Sequence, residues 1–143
     1  MAHSIDIKGA LNNVLPNTIV KDLIDEKISS RMVKLARYLI FSRYADVYCN
    51  SRLVKKIVIK RGVPQGSVIA PLLFNFYIRN LDKNIGRCAN LQFADDCAIT
   101  YASPNSEDII KNLQEGLSEL VKWLKQRGLN VAIHKTVFMV FSR

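Results

Sequence analysis

Hydrophobic spacing along this chain changes period several times, and each change marks an expected element. Residues 3–8 read as a strand that ends at Asp6, with Ile5 and Ile7 on either side. Pro16-Asn17-Thr18 then opens a helical stretch that puts Ile19, Leu23, Ile24 and Ile28 on one face. A second helix is expected over 30–42, where Met32, Val33, Leu35, Ala36, Leu39 and Ile40 are apolar and Arg31, Lys34, Arg37 and Arg43 face outward. Val47 to Cys49 and Leu53 to Ile59 form a hairpin with Asn50-Ser51 as its turn.

After a loop rich in glycine and proline, a buried helix is expected from Pro71 to about Lys83. Proline suits a first helical turn, where its missing N–H is no loss. Leu91 to Phe93 and Cys97 to Tyr101 are β-prone runs around Ala94-Asp95-Asp96. A long amphipathic helix follows over 106–127, with Ile109, Ile110, Leu113, Leu117, Leu120, Val121 and Leu124 on one face. Glu107 and Asp108 suit the positive end of its dipole, and Arg127-Gly128 suits its end. Val137 to Phe141 is a last strand. The order β-α-α-ββ-α-ββ-α-β predicts an α+β fold, an antiparallel sheet of split βαβ type with helices packed on one face.

Residues 1–143 are expected to form a single domain, long enough for one core. Lys and Arg outnumber Asp and Glu by 21 to 12, a net charge of +9 that favours an acidic partner, nucleic acid first. A basic surface that is merely solvated has the same composition. Cys49, Cys88 and Cys97 lack metal-ligand spacing and read as reduced packing residues of an intracellular protein. No apolar run suggests a secretion signal or a membrane span.

Phe93-Ala94-Asp95-Asp96 carries the candidate chemistry. Strand alternation would send Asp95 and Asp96 to opposite faces, so only a hairpin tip brings both near one point. Like charges held that close call for a cation, and an all-oxygen donor set favours Mg²⁺. Aspartate is also a common turn residue, and Asp6 alone reads as a strand-end acid.

The wording around these residues is more specific. Pro64-Gln65-Gly66-Ser67, then Pro71-Leu72-Leu73-Phe74-Asn75, then Phe93-Ala94-Asp95-Asp96, then Gly128-Leu129 with Lys135-Thr136 stand in a fixed order. That series resembles the palm of a reverse transcriptase of the non-LTR (LINE-type) retrotransposon branch, and the likeness runs from the first residues to the last. The resemblance implies RNA-directed DNA synthesis: in-line attack of a primer 3′-hydroxyl on an α-phosphate, with two metal ions about 4 Å apart. Asp6 and Asp95 would bridge two Mg²⁺ ions (Mn²⁺ as the substitute), with Asp96 in support and the Ile7 backbone carbonyl as a further ligand. Gln65 would meet the templating base pair, with Pro64 and Gly66 stiffening the main chain there. Leu11, Phe93 and Ala94 would line the substrate and template surface. Lys135 would stand near the departing pyrophosphate as general acid or charge stabiliser. RNA template, DNA primer and deoxynucleoside triphosphates are the implied partners, in the nucleus or cytoplasm.

The chain departs from this family in three ways. An alanine, Ala70, stands where a serine usually caps the helix at Pro71. The family's aromatic five residues after the first aspartate, within an Ala-Phe-Asp triplet, is replaced by Leu11 in Ala10-Leu11-Asn12. The fingers and thumb that flank such a palm have no counterpart in these residues, so a truncated polymerase palm with little activity alone is expected. The alternative is a non-catalytic nucleic-acid-binding remnant that uses only its basic surface.

A flat ring beside the sugar excludes a 2′-hydroxyl by contact, and Leu11 leaves room for one. In a palm completed with fingers and thumb, Leu11→Phe should raise dNTP-over-rNTP selectivity in kcat/KM by roughly 10- to 100-fold. Equal ratios for the two enzymes would count against this role of Leu11.

Overall fold

Ile5, Cys97 and Ile99 alternate along their strands with smaller or polar residues, and all three are buried on one face of a sheet. The computed structural model describes residues 1–141 and gives the chain in order. Strand β1 (Ala2–Asp6) is followed by a one-turn helix α1 (Ala10–Asn13), then α2 (Pro16–Asp25) and α3 (Ser30–Phe41). The hairpin β2 (Tyr44–Cys49) and β3 (Arg52–Val58) precedes α4 (Ala70–Ile78). A second hairpin, β4 (Ala89–Phe93) and β5 (Asp96–Thr100), leads to α5 (Ser106–Gln126) and β6 (Val137–Met139). The final two positions of the expected 1–143 domain lie outside the described residues.

Four strands form one sheet in the order β4-β5-β1-β6, every neighbour antiparallel. Strands β5 and β6 therefore run in the same direction on either side of β1, with α5 as their connection. That is the expected split βαβ arrangement. One sheet face meets α4 and α5, whose Leu73, Phe74, Tyr77, Ile78, Leu113, Leu120 and Leu124 are buried in the core. The other face is open, with Leu91, Phe93 and Val137 exposed along it.

Element ends follow local chemistry. The expected helix through Ile28 stops at Asp25, because Lys27 turns left-handed (φ +57°) and closes a Schellman pair. Its bonds run from Ile28 N–H to the Leu23 carbonyl and from Lys27 N–H to that of Ile24. Ile24, still within α2, is exposed, and the buried stripe is Ile19, Val20 and Leu23. The helix expected to reach Lys83 ends at Ile78 and resumes as a 3₁₀ turn over Leu81–Asn84. The Asn84 side chain donates 2.7 Å to the Asn80 carbonyl, a side-chain competitor for the α-helical bond. Ala70 gives no cap; the turn before α4 closes instead on Ser67, whose carbonyl accepts from Ala70 N–H at 3.1 Å. Asn105 caps α5 as an acceptor from Glu107 N–H at 2.9 Å, and β6 stops at Met139, short of Phe141. Asn50 and Ser51 both have positive φ, the signature of a type I′ turn between β2 and β3. Among the described residues those two strands pair only with each other.

A charged node ties three helices together. Asp22 of α2 pairs with Arg127, at the end of α5, and stands 3.5 Å from Arg79 beyond α4. The Arg127 guanidinium lies over the Tyr77 ring at 4.2 Å and the Trp123 ring at 5.2 Å, and the Tyr77 hydroxyl donates to the Arg127 carbonyl. Burial raises the Tyr77 hydroxyl's pKa. Among the described residues no helix is long and apolar enough to cross a membrane.

Cys88 and Cys97 are buried and Cys49 is exposed, all three as free thiols. Burial, with Asp82 adding to it, pushes the Cys97 thiol up to about 11. Since the thiolate is the reactive form, iodoacetamide at pH 8 should modify Cys97 at least about 100-fold more slowly than an ordinary free thiol. Peptide mass spectrometry should find Cys49 labelled first and Cys97 only after denaturation. Equal early labelling of the two would contradict the packing of β5.

Candidate active site

Asp6 ends β1 and Asp96 begins β5, and the β1–β5 register sets them directly opposite each other. Residues so paired share a face, with Cβ atoms about 5 Å apart, and like charges there repel unless a cation intervenes. They lie on the open face, where water reaches them, rather than among Ile5 and Cys97. Phe93 also pairs with Asp96, so Ala94-Asp95 is a two-residue hairpin loop. Ala94 has φ +53° while Asp95 is not left-handed, the pattern of a type II′ turn whose first loop position favours glycine. Phe93 and Ala94 are exposed at this tip. Asp95 sits within the turn, and among the described residues no three of His, Cys, Asp and Glu gather closely enough to hold a metal ion. The structure thus joins Asp6 with Asp96 and leaves Asp95 beside them at the tip.

A cation is already present at Asp6. Lys135 Nζ stands 3.2 Å from Asp6 Oδ2, with 60% of the lysine side chain exposed. Lys135 belongs to the 3₁₀ turn Ile133–Lys135, which two main-chain bonds fasten to the end of β1. Lys8 N–H donates to the Asn130 carbonyl and Ala132 N–H to the Asp6 carbonyl, each at 2.8 Å. Ile7 faces Val131 in the non-hydrogen-bonded position between those bonds, so its own carbonyl is not engaged by them.

The second half of the site is built on α1, which follows β1 after Gly9. Val63 N–H donates to the Leu11 carbonyl and Gly62 N–H to the Val14 carbonyl, both at 2.8 Å. Arg43 Nη2 grips the same loop from its other side, 2.6 Å from the Arg61 carbonyl and 2.7 Å from that of Gly62. Gln65 Nε2 donates to Asn12 Oδ1 at 2.9 Å. Leu11 and Pro64 are half-buried there, while Gln65 and Gly66 are exposed. Sequence reasoning missed the work of Arg43 and Asn12: it read Arg43 as one outward basic residue among several and Asn12 only as the last residue of the changed triplet. Only the fold shows that each has a partner across the chain.

Comparison with known proteins gives concordant matches. The family described as "Reverse transcriptase (RNA-dependent DNA polymerase)" matches residues 1–142. A "Probable RNA-directed DNA polymerase from transposon BS" of Drosophila melanogaster is 33% identical over 115 residues, covering 76% of this chain and 13% of that protein. A "Retrovirus-related Pol polyprotein from type-1 retrotransposable element R2" of Popillia japonica is 26% identical, over 90% of this chain and 22% of that protein. Among solved structures, telomerase from Candida albicans matches 99% of this chain and 28% of its own at TM-score 0.70 and 16% identity. Telomerase from Candida tropicalis matches 95% and 25% at TM-score 0.74 and 13% identity. At such identities the likeness shows the shared palm fold.

Gly62 and Gly66 both have positive φ, +82° and +80°, but differ in their surroundings. A Cβ on Gly62 would lie 2.7 Å from the Leu11 carbonyl oxygen and 2.8 Å from Asn12 Cα, while one on Gly66 would meet nothing. Gly66→Ala should cost about 1–2 kcal/mol, the left-handed penalty alone. Gly62→Ala should cost more, about 3 kcal/mol or above, because backbone on α1 must also give way. Urea denaturation of the two variants measures the difference; equal costs would show that the loop does not dock on α1.

Proposed function

The chain belongs to the reverse transcriptase (RNA-dependent DNA polymerase) family, and from that membership we propose that it is a single-domain palm of a non-LTR retrotransposon polymerase. The matched segment spans 13% of the transposon BS protein and 22% of the R2 polyprotein. The reading therefore concerns one part of the catalytic machinery. The observation that carries it is the cross-strand pairing of Asp6 with Asp96, next to a turn that offers Asp95, with Lys135 drawn to Asp6.

In the proposed reaction a primer 3′-hydroxyl attacks the α-phosphorus of a deoxynucleoside triphosphate in line. The new phosphodiester bond forms as the bond to pyrophosphate breaks, and the hydroxyl proton is lost to solvent or a nearby base. Asp6, Asp95, Asp96 and the Ile7 carbonyl offer the hard oxygen donors that suit Mg²⁺, with Mn²⁺ as the substitute. Two such ions, when bound, neutralise charge on the attacking and leaving oxygens. The protein's own part is positioning. Leu11 lies on α1, against the loop, as the side chain proposed to face the sugar. Gln65 presents an amide to the templating pair, and Pro64 and Gly66 shape the loop that carries it. Phe93 and Ala94 border the same surface on the hairpin tip. Lys135, which an ion held by Asp6 would displace, would be the ammonium group available to the departing pyrophosphate. RNA template and DNA primer are the proposed partners, favoured by the +9 charge, and these substrates put the work inside the cell.

The test is Mn²⁺ binding, read by the EPR signal of the free ion, alongside binding and extension of an RNA–DNA primer–template. The chain should bind the duplex weakly and with steep salt dependence. Asp95→Asn/Asp96→Asn should weaken Mn²⁺ binding by at least about 10-fold without weakening duplex binding. Extension by this chain alone should be very poor, since a loosely held triphosphate forfeits most of the effective molarity that positioning supplies. Mn²⁺ affinity unchanged in the double variant would overturn the metal assignment and favour a nucleic-acid-binding remnant. Robust extension abolished in the double variant would make the chain a minimal polymerase and overturn the expected low activity.

A further inference from the structure

Adjacent asparagines on α1 have different partners. Asn13 Nδ2 donates locally, to the Lys8 and Gly9 carbonyls at 3.0 and 3.1 Å, and so fastens the turn that starts the helix. Asn12 reaches across 53 positions of sequence, where its Oδ1 accepts from Gln65 Nε2 at 2.9 Å. We infer that Asn12 is a positioning residue that sets the direction of the Gln65 amide. The inference rests on the polymerase reading only for what the Gln65 amide then faces.

An exposed side-chain hydrogen bond is usually weak, because two mobile side chains must be ordered to make it. Here most of that ordering is done by the main chain. Val63 and Gly62 are bonded to the Leu11 and Val14 carbonyls, and Arg43 holds the Arg61 and Gly62 carbonyls from behind. Pro64, with its fixed φ, joins that locked pair to Gln65. Gln65 therefore leaves a rigid loop two residues after a bond to the residue beside Asn12.

The chemistry of the pair also defines what Gln65 can offer. An amide at position 12 can accept from Gln65 or, turned over, donate to it, since both side chains carry a carbonyl and an amino group. In the orientation observed, Gln65 gives its amino group to Asn12 and keeps its Oε1 free as an acceptor toward a bound ligand. An aspartate at position 12 is acceptor-only and would enforce that orientation. Alanine would release the amide altogether.

The test uses the whole chain labelled with ¹⁵N, with the Gln65 side-chain NH₂ signals assigned by their loss in Gln65→Glu. Asn12→Ala should shift those signals and speed their hydrogen exchange about 2- to 10-fold. Asn12→Asp should keep the slow exchange, and the Gly62 and Val63 backbone amides should stay protected in both variants. Unchanged Gln65 NH₂ signals in Asn12→Ala would overturn the inference. Equal loss of Gly62 and Val63 protection would overturn it too, by making Asn12 a support of the loop rather than of the amide. Failure of Mn²⁺ or primer–template binding bears on the polymerase reading alone and leaves this coupling standing.

Discussion

The pairing of β1 along both its edges is the constraint on which the rest of the molecule depends. Five residues of β1 pair with β5 and three pair with β6, so this short strand holds the sheet together. Its register is fixed by burial: Ile5 and Ile7 must enter the core, and Asp6 must not. A slip of one residue would turn Asp6 toward Cys97 and Ile99 and bury an unpaired carboxylate. The same register decides what Asp6 faces. With Ile5 opposite Cys97, Asp6 can only be opposite Asp96. The chain leaving β1 then has a single short path into α1, and α1 is what the Pro64-Gln65 loop docks against. Core packing thus places both halves of the candidate site.

Two ion pairs in the structure behave differently because of where they lie. Asp22 and Arg127 have side chains only 16% and 13% exposed, with two aromatic rings against the guanidinium. Removing either partner would leave a largely buried charge, so this pair is a fixed joint between α2 and α5. Lys135 and Asp6 are 60% and 25% exposed. Such a pair is worth little in water and exchanges easily for another cation or for solvent. The proposed role of Asp6, to receive other cations, needs a partner of the second kind, since a locked guanidinium would not yield its place.

Much of this was legible in the chain itself, for identifiable reasons. Period and end signals placed the long helix from Ser106, because Glu107, Asp108 and Gly128 all act within one turn of its ends, while the Asn105 cap emerged only in the structure. The strands around Ala94-Asp95 and the type I′ turn at Asn50-Ser51 are likewise local decisions. The misreadings came where a nonlocal or side-chain interaction outweighed periodicity. Ile24 and Ile28 fit a helical stripe, yet Lys27 takes a left-handed turn that periodicity does not register. Asn84 caps the Asn80 carbonyl and shortens a helix whose apolar spacing continues past it. The wording of the motifs named Asp6, Asp95, Asp96 and Gln65 as candidates, but no pattern connects position 12 with position 65, or Arg43 with the Arg61 carbonyl. Those contacts exist only once α3 and the loop after β3 have folded against α1.

The asymmetry of the sheet follows from the same physics. Helices α4 and α5 bring enough apolar surface to cover one face; α4, expected as a buried helix, turns Leu73, Phe74, Tyr77 and Ile78 inward and leaves Pro71, Leu72 and Asn75 exposed. Covering the other face as well would strip water from Asp6 and Asp96, which face each other across a strand pair and repel unless water or a cation lies between them. Leaving it open exposes Leu91, Phe93 and Val137, a cost in apolar hydration set beside a carboxylate pair that water can reach. In the proposed role, a long ligand carrying negative charge would reach Asp6 and Asp96 only with cations in between, and the open face leaves room for both. The exposed side of the sheet is therefore the side on which the proposed chemistry with phosphates would have to take place.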